Sequence, residues 1–331
     1  MALFRVLIVE DSVTAQQMLK EMIESDPDIE VIGIASNGKE GVEKTLELKP
    51  DLVTMDLMMP VMSGQEAIDQ IMQQCARPIL VISSNNDSKV AFDACSRGAL
   101  DVFPKDDLDP DKCEKLTSRI RLLAKVRVIG HIRPKTTVKP QVIGNHRDAK
   151  VIAIACSTGG PKALSQMLPH LPENFPHPIV IAQHIEDGFT DGLVEWLNQV
   201  CPQKLELGKQ GTRLAANTIY ISPSEKNMKV GLGGVIEFEE RSEKDRYAPN
   251  CDVLLNSVAQ NYGPKSVGVI LTGMATDGVA GMKNIRDKGG QTIAQDESSS
   301  VVYGMNRQAI ETGCIDKVLP IEEIGQYLAK L

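Results

Sequence analysis

The feature that most constrains the fold of this chain is the regular alternation of short apolar runs with helical patterns between residues 3 and 123. The apolar runs predict five strands, at residues 4–9, 31–35, 52–55, 79–82 and 101–103. The segments between them predict helices at residues 13–25, 38–48, 65–75 and 89–98, with a last helix from residue 110. Repeated strand-helix units of this kind predict a doubly wound, five-stranded parallel sheet.

Five polar residues lie at the ends of these predicted strands, namely Glu10, Asp11, Asp56, Ser83 and Lys105. In a parallel sheet the carboxyl ends of the strands form one edge, so we expect these side chains to lie close together. Three carboxylates repel one another unless a divalent cation lies among them, and their oxygen atoms suit Mg²⁺. A carboxylate can accept a phosphoryl group, and a lysine beside it can hold the phosphoryl oxygens. Any one of these residues alone could instead be a helix cap or a solvated loop charge.

The motifs around these residues resemble the receiver domain of two-component response regulators. They are Val-Glu-Asp-Ser at residues 9–12, Met-Asp-Leu-Met-Met-Pro at 55–60, Ser-Ser at 83–84 and Phe-Pro-Lys at 103–105. The resemblance covers residues 1–124 and implies that Asp56 accepts a phosphoryl group from a histidine kinase. It further implies a Mg²⁺ site formed by Glu10, Asp11, Asp56 and the backbone of Met58. The residues that sense the aspartyl phosphate would be Ser83 and Lys105.

Residues 125–148 lack a clean hydrophobic period and mix basic residues with scattered glycines and prolines. This composition predicts a linker between two domains. Solvation of an extended connector is the commoner reason for such a basic charge, and a docking site is the alternative.

The remaining segment, residues 149–331, opens with a predicted strand at 150–155 that leads into Cys-Ser-Thr-Gly-Gly-Pro at 156–161. Small residues after an apolar run predict a sharp strand-to-helix turn, which lifts Ser157 clear of the sheet beside the unpaired amides of a helix start. A nucleophilic serine is presented in this way. The same glycines also fit a turn that only connects two elements or binds a phosphate, so the motif alone leaves these alternatives open.

Two further polar residues follow predicted strands: His184 after residues 178–183, and Asp277 in the loop after residues 266–271. With Ser157 they form the arrangement of a catalytic triad, in which histidine takes the serine proton and a carboxylate orients the histidine. Individually, His184 could be a structural histidine and Asp277 a helix cap. The N–H of Thr158 is the natural oxyanion donor. We expect Cys156 to be a small packed side chain rather than the nucleophile.

The rest of this segment predicts an α/β domain with a mainly parallel sheet. Four short strands at residues 204–207, 218–221, 229–232 and 235–238 predict a β-rich insertion, in which Gly233 and Gly234 make a hairpin turn. A strand at 291–294 and helices at 161–168, 251–262, 303–312 and 320–331 complete the pattern. Asp187 is placed to cap a helix that runs to about residue 200.

This segment resembles the chemotaxis protein-glutamate methylesterase family. The resemblance rests on Ala-Cys-Ser-Thr-Gly-Gly-Pro at residues 155–161, Ala-Gln-His at 182–184 and Leu-Thr-Gly-Met-Ala-Thr-Asp-Gly at 271–278. The order of receiver, linker and esterase is also the same. The resemblance implies a triad of Ser157, His184 and Asp277, supported by Thr158 and the backbone of Met274. Departures from the family pattern occur on the cleft wall, at Cys156, Ile185, Glu186, Asn227 and Ala275.

The resemblance implies a phosphorylation-activated serine esterase that removes methyl groups from glutamates on the cytoplasmic helices of methyl-accepting chemoreceptors. Deamidation of glutamine is a related activity of the family, and the esterase reaction needs no cofactor. We hypothesise that the unphosphorylated receiver covers the esterase cleft until Asp56 is phosphorylated. One alternative is a non-catalytic response regulator whose second domain only binds a partner. Another is the same enzyme in a receptor cluster that controls development or surface growth.

Charge and composition narrow the partners and the location. The formal net charge of -8 argues against nucleic acid or an anionic membrane as a partner, because such surfaces need concentrated Lys and Arg. No apolar run has the length of a membrane span and no signal-peptide pattern is present, so we expect a cytoplasmic protein. We also expect a monomer. The seven cysteines form no Cys-x-x-Cys pair, which indicates neither a zinc site nor a disulfide framework.

Overall fold

The computed structural model describes residues 3–84, 87–128, 150–242 and 247–331. The chain separates into two compact units that divide between Lys135 and Thr136. The predicted linker at residues 125–148 lies almost wholly outside the described residues. The proposed domain limits at residues 124 and 149 therefore stay a prediction.

The first unit is a single parallel sheet with the strand order β2-β1-β3-β4-β5. Its strands are β1 (Phe4–Val9), β2 (Ile29–Ala35), β3 (Leu52–Asp56), β4 (Ile79–Ser83) and β5 (Asp101–Pro104). Its helices are α1 (Val13–Glu24), α2 (Gly38–Leu48), α3 (Gly64–Gln74), α4 (Ser88–Arg97) and α5 (Cys113–Leu123). The predicted doubly wound fold is confirmed, and each predicted element lies within a few residues of the observed one.

The local sequence explains where these elements begin and end. Every residue of β3 and of β4 is buried, as expected for central strands of a sheet covered on both faces. A capping box starts α3, because the Ser63 side chain accepts from the Glu66 amide while Glu66 accepts from the Ser63 amide. The last helix starts at Cys113 rather than at Pro110, because residues 110–112 form a separate 3₁₀ turn.

The second unit contains a seven-stranded parallel sheet and a two-stranded hairpin. The sheet has the order β14-β13-β12-β6-β7-β9-β8, and the hairpin pairs β10 with β11. The strands are β6 (Val151–Cys156), β7 (Ile179–Gln183), β8 (Lys204–Leu207), β9 (Thr218–Ile221), β10 (Lys226–Val230), β11 (Ile236–Glu240), β12 (Ser266–Ile270), β13 (Gln291–Gln295) and β14 (Lys317–Leu319). The helices are α6 (Gly160–Met167), α7 (Thr190–Val200), α8 (Cys251–Tyr262), α9 (Val279–Asp287), α10 (Met305–Glu311) and α11 (Ile321–Leu328).

The predicted four-stranded insertion is wrong in extent. Only β10 and β11 form a hairpin, whereas β8 and β9 extend the main sheet through the parallel pairs Ile179 with Ile219 and Leu205 with Ile219. Burial of Leu205 and Ile219 explains why these short strands join the core. The sequence prediction also missed β14, a three-residue strand whose Val318 is exposed.

The predicted cap of α7 is also wrong. That helix begins at Thr190 with Phe189 as its N-cap residue, and Asp187 lies two residues earlier. Its carboxylate instead accepts from Arg241 Nη1 at 3.2 Å.

Among the described residues, no helix combines the length and apolar character needed to cross a membrane.

Candidate active site

Three neighbouring strands of the seven-stranded sheet deliver the predicted triad residues to one edge. Ser157 directly follows β6 and His184 directly follows β7, while Asp277 lies in the loop after β12. Backbone hydrogen bonds join the strand ends, from His184 N to the Cys156 carbonyl at 2.9 Å and from Ser157 N to the Thr272 carbonyl at 3.0 Å. The structure therefore places all three residues at the edge where parallel sheets carry their ligand sites.

His184 and Asp277 are in direct contact. His184 Nε2 lies 2.8 Å from Asp277 Oδ2, and both side chains are more than nine-tenths buried. An ionised carboxylate only accepts hydrogen bonds, so Nε2 carries the proton of the neutral ring and Nδ1 keeps a lone pair. Nδ1 is buried and has no hydrogen-bond partner among the described residues. The Tyr247 ring stacks on the imidazole with centroids 4.9 Å apart, which fixes the plane of the ring.

The Asp277 carboxylate is held by the first turn of α8. Oδ2 accepts from the backbone N–H of Cys251 at 2.6 Å, and Oδ1 accepts from that of Asp252 at 2.9 Å. Burial raises the pKa of Asp277, but the hydrogen bonds from His184 and from these two amides outweigh burial and leave the pKa below its usual value. Asp277 is therefore a fixed negative charge beside the histidine.

Ser157 occupies the turn between β6 and α6. Gly159 has a φ of 79°, a left-handed conformation that glycine adopts without strain, and α6 begins at the next residue. Gln183 Nε2 donates to the carbonyl oxygens of both Ser157 (2.9 Å) and His184 (2.7 Å), and thus links the two strand ends. The serine is partly exposed. Within the described part of the chain, no hydrogen bond involves Ser157 Oγ, so the hydroxyl is available to a ligand.

The two predicted oxyanion donors come from different segments: Thr158 lies in this turn, and Met274 lies in the loop after β12. Gly273, the residue before Met274, lies against Ser157. A Cβ placed on Gly273 would lie 2.6 Å from Ser157 Cβ. Neither the Thr158 amide nor the Met274 amide donates to an acceptor among the described residues. Thr158 is buried, whereas Met274 is 53% exposed.

Cys156 is a packed residue, as predicted. It is fully buried, and burial raises the pKa of its thiol far above the usual range, which makes the nucleophilic thiolate inaccessible. The departure at Asn227 has a structural role, because its Oδ1 accepts from the backbone N–H of Asn250 at 2.8 Å. Asn250 is the N-cap residue of α8. Asn227 therefore supports the same helix start that holds Asp277.

The first unit has its own polar site at the carboxyl edge of its sheet. Donor atoms of Glu10, Asp11 and Asp56 lie within 4.8 Å of one another. Lys105 Nζ lies 2.9 Å from Glu10 Oε2 and 3.1 Å from Asp56 Oδ2. Glu10 and Asp56 are buried, while Asp11 is exposed. The structure thus brings together the predicted acidic residues and the lysine.

Burial has the largest effect on the pKa values of Glu10 and Asp56, and raises both. Lys105 opposes this shift, but the repulsion among the carboxylates adds to it. Ser83 is buried at the end of β4, where it pairs in register with Pro104, next to Lys105. Met58 is 64% exposed. Because Mg²⁺ takes oxygen ligands, only the backbone carbonyl of Met58 and not its thioether suits the predicted ligand role.

Several residues of the second site were not found from the sequence. They are Tyr247, which stacks on His184, Cys251 and Asp252, whose amides hold Asp277, and Gln183, which links the strand ends. A signal for the amides was present, because α8 was predicted at its observed bounds and Asn250 is a typical N-cap. The sequence around α8 could not show that Asp277 would be the carboxylate bound by the first amides of this helix.

Fold and sites define a two-unit α/β protein with a receiver-like acidic site in the first unit and a serine-histidine-aspartate site in the second. Family models agree: the response regulator receiver domain matches residues 6–118, and the CheB methylesterase matches residues 152–328. The chain is 45% identical to a protein-glutamate methylesterase/protein-glutamine glutaminase of Paramagnetospirillum magneticum, over 98% of this chain and 95% of that protein.

A second relative with the same name, from Thermotoga maritima, is 36% identical over 99% of this chain and 98% of that protein. The crystal structure of the CheB methylesterase catalytic domain from the same organism covers 55% of this chain and 97% of that domain, with a TM-score of 0.53 and 35% identity. This chain belongs to the CheB methylesterase family.

Proposed function

We propose that this protein is a phosphorylation-activated protein-glutamate methylesterase of chemoreceptors that also acts as a protein-glutamine glutaminase. Family membership supports the proposal, because full-length relatives carry both activities in their names. The single observation that carries it in this chain is the buried His184–Asp277 pair, held by the start of α8 at the edge where Ser157 lies. A domain that only bound a partner would not need this fixed pair.

In the proposed reaction, Ser157 Oγ attacks the carbonyl carbon of a glutamate methyl ester while His184 Nδ1 accepts the serine proton. Asp277 stabilises the imidazolium that forms. The oxyanion is stabilised by the amides of Thr158 and Met274, each worth about 3 kcal/mol if aimed at the developing charge. Methanol leaves with the proton from His184, and water then hydrolyses the glutamyl-enzyme by the same route. An amide substrate would release ammonia instead.

In the first unit, Asp56 is the proposed acceptor of a phosphoryl group from a histidine kinase. The residues present fit Mg²⁺, because Glu10, Asp11 and Asp56 supply a tight set of oxygen donors whose mutual repulsion a cation would relieve. Together with the Met58 carbonyl they would hold the ion, which when bound neutralises charge on the phosphoryl oxygens. Ser83 and Lys105 would contact the phosphoryl group and report its presence. We further propose residues 1–124 and 149–331 as the limits of the two domains.

The test is methanol release from methylated chemoreceptor, measured with and without a small-molecule phosphodonor. We expect release that rises with phosphodonor in the wild-type protein, a loss of about 10⁴-fold or more in Ser157→Ala, and no response to phosphodonor in Asp56→Asn. Near-normal release by Ser157→Ala would remove the proposed nucleophile. A folded wild-type protein that binds receptor without releasing methanol would favour the binding-only alternative.

A further inference from the structure

The thiol of Cys251 lies against the catalytic pair and has no role in the proposed reaction. Its Sγ is 3.3 Å from His184 Nε2, which is itself 2.8 Å from Asp277 Oδ2. All three donor atoms lie within 4.8 Å of one another. Imidazole nitrogen, thiolate sulfur and carboxylate oxygen together are the donor set that Zn²⁺ prefers. No zinc motif is visible in the sequence, because His184 and Cys251 lie 67 residues apart.

We propose that Cys251, His184 and Asp277 form a binding site for Zn²⁺ that inhibits the esterase. Tetrahedral zinc, with bonds of about 2.0–2.3 Å, holds its ligand atoms roughly 3.4–3.6 Å apart. The two pairs measured here, at 2.8 and 3.3 Å, therefore need to separate by only about half an ångström. Three protein ligands leave the fourth position to a water molecule.

Charge balance favours an ion in this buried place. One thiolate and one carboxylate neutralise the two positive charges of Zn²⁺, so the filled site carries no net charge. Without a metal, burial and the nearby Asp277 charge raise the pKa of the Cys251 thiol well above its usual value. The metal removes that obstacle, and the thiol proton is released to the solvent as the sulfur-zinc bond forms.

The inhibitory effect follows from the tautomer of His184. In the metal-free site Nε2 carries the ring proton and faces Asp277, which leaves the lone pair on Nδ1. Coordination through Nε2 requires the ring proton to move to Nδ1, so the ring no longer has a lone pair for the serine proton. This step rests on the proposed function, whereas metal binding itself does not.

Binding is tested with Co²⁺ as the probe on the full-length protein after treatment with a chelator. A thiolate-to-cobalt absorption band should appear in the wild-type protein and be absent in Cys251→Ser and in Cys251→Val. The matched control is Cys201→Ser, a buried cysteine at the end of α7, which should keep the band. Oxygen ligands in the first unit give no such band. Absence of the band in the wild type, or its persistence in a folded Cys251 variant, would refute the site.

Inhibition is tested by measuring methanol release during Zn²⁺ titrations. The rate of each variant is given as a fraction of the rate of the same variant in chelator. We expect the Zn²⁺ concentration for half-inhibition to rise at least tenfold from wild type to Cys251→Ser, and to stay unchanged in Cys201→Ser. Equal sensitivity of wild type and Cys251→Ser would refute an inhibitory role of this site. Cobalt binding through Cys251 in a protein without any esterase activity would leave the metal site standing and refute the proposed function instead.

Discussion

Asp277 Oδ2 accepts from the backbone N–H of Cys251 at 2.6 Å and also lies 2.8 Å from His184 Nε2, so one oxygen atom connects a helix start to the histidine. The amides at the start of α8 favour the negative charge, and the charge in turn selects the Nε2–H tautomer. The carboxylate that orients His184 is therefore itself held by backbone groups, which side-chain substitutions on α8 other than proline leave in place.

Replacing Asp277 with asparagine tests this arrangement. An asparagine whose NH₂ group replaces Oδ2 can still accept from the Asp252 amide but loses the hydrogen bond from the Cys251 amide. Its NH₂ group, turned to His184, would favour a lone pair on Nε2 and a proton on Nδ1. We expect kcat for methanol release to fall about 10⁴-fold with little change in KM. Asp287→Asn, at the exposed end of α9, is the control that should retain activity. A kcat within tenfold of wild type in a folded Asp277→Asn protein would contradict the role of the carboxylate.

Gly273 sets the space available to Ser157. A Cβ at this position would lie 2.6 Å from Ser157 Cβ and would overlap Met305 Sδ. Gly273→Ala should therefore shift the serine by a fraction of an ångström and lower kcat/KM by roughly 100-fold. Gly268→Ala in β12 is a matched control, because its Cβ would crowd Ile285 and Met282 rather than the serine. It should lower the melting temperature while keeping specific activity, and equal losses of activity in both variants would argue against a local effect.

The parts of this molecule that the sequence predicted are those decided by local pattern. The apolar period placed β6, β7 and the helix at Cys251–Tyr262, and the small residues after β6 marked Ser157 as the residue at the turn. The parallel-sheet rule then brought His184 to the same edge. Each of these inferences uses residues that are close in the chain.

The parts that were missed depend on contacts between distant segments. The two amides that hold Asp277 come from residues 26 and 25 positions away, and Tyr247 reaches His184 from a loop. Likewise, four short strands in sequence could not show that β9 would pair with β7, and β8 with β9, rather than with the hairpin. Tertiary packing decides such choices, and a local pattern does not contain it.

The carboxyl of Asp252 should make the stability of the second unit depend on pH. Burial, together with the charge of Asp277, raises its pKa from 3.8 to about 6. The folded chain therefore disfavours the ionised carboxyl. Below pH 4 the group is protonated in the folded and unfolded states, so the free energy of unfolding is unaffected. Above pH 6 the group is ionised in both states, and the free energy of unfolding is lowered by the full amount. The stabilisation by Asp252→Asn should be larger at pH 8 than at pH 4 by roughly 1–2 kcal/mol, a figure that allows for the partial exposure of the carboxyl. Urea unfolding at both pH values measures this, with Asp287→Asn as the control, and a pH-independent difference would contradict it.

Lys105 should stabilise the first unit by offsetting two buried carboxylates. Lys105→Met leaves Glu10 and Asp56 without their nearest cation, so we expect a loss of roughly 1–3 kcal/mol in the free energy of unfolding at neutral pH. The loss should shrink in acid, because the two carboxyls, whose pKa values are raised, become protonated and no longer need a cation. At neutral pH, Mg²⁺ should restore part of the lost stability. Lys112→Met removes a lysine that pairs with Asp109 at the surface and should change stability by less than about 0.5 kcal/mol. Equal effects of the two substitutions, or no recovery with Mg²⁺, would show that the acidic cluster does not depend on a cation.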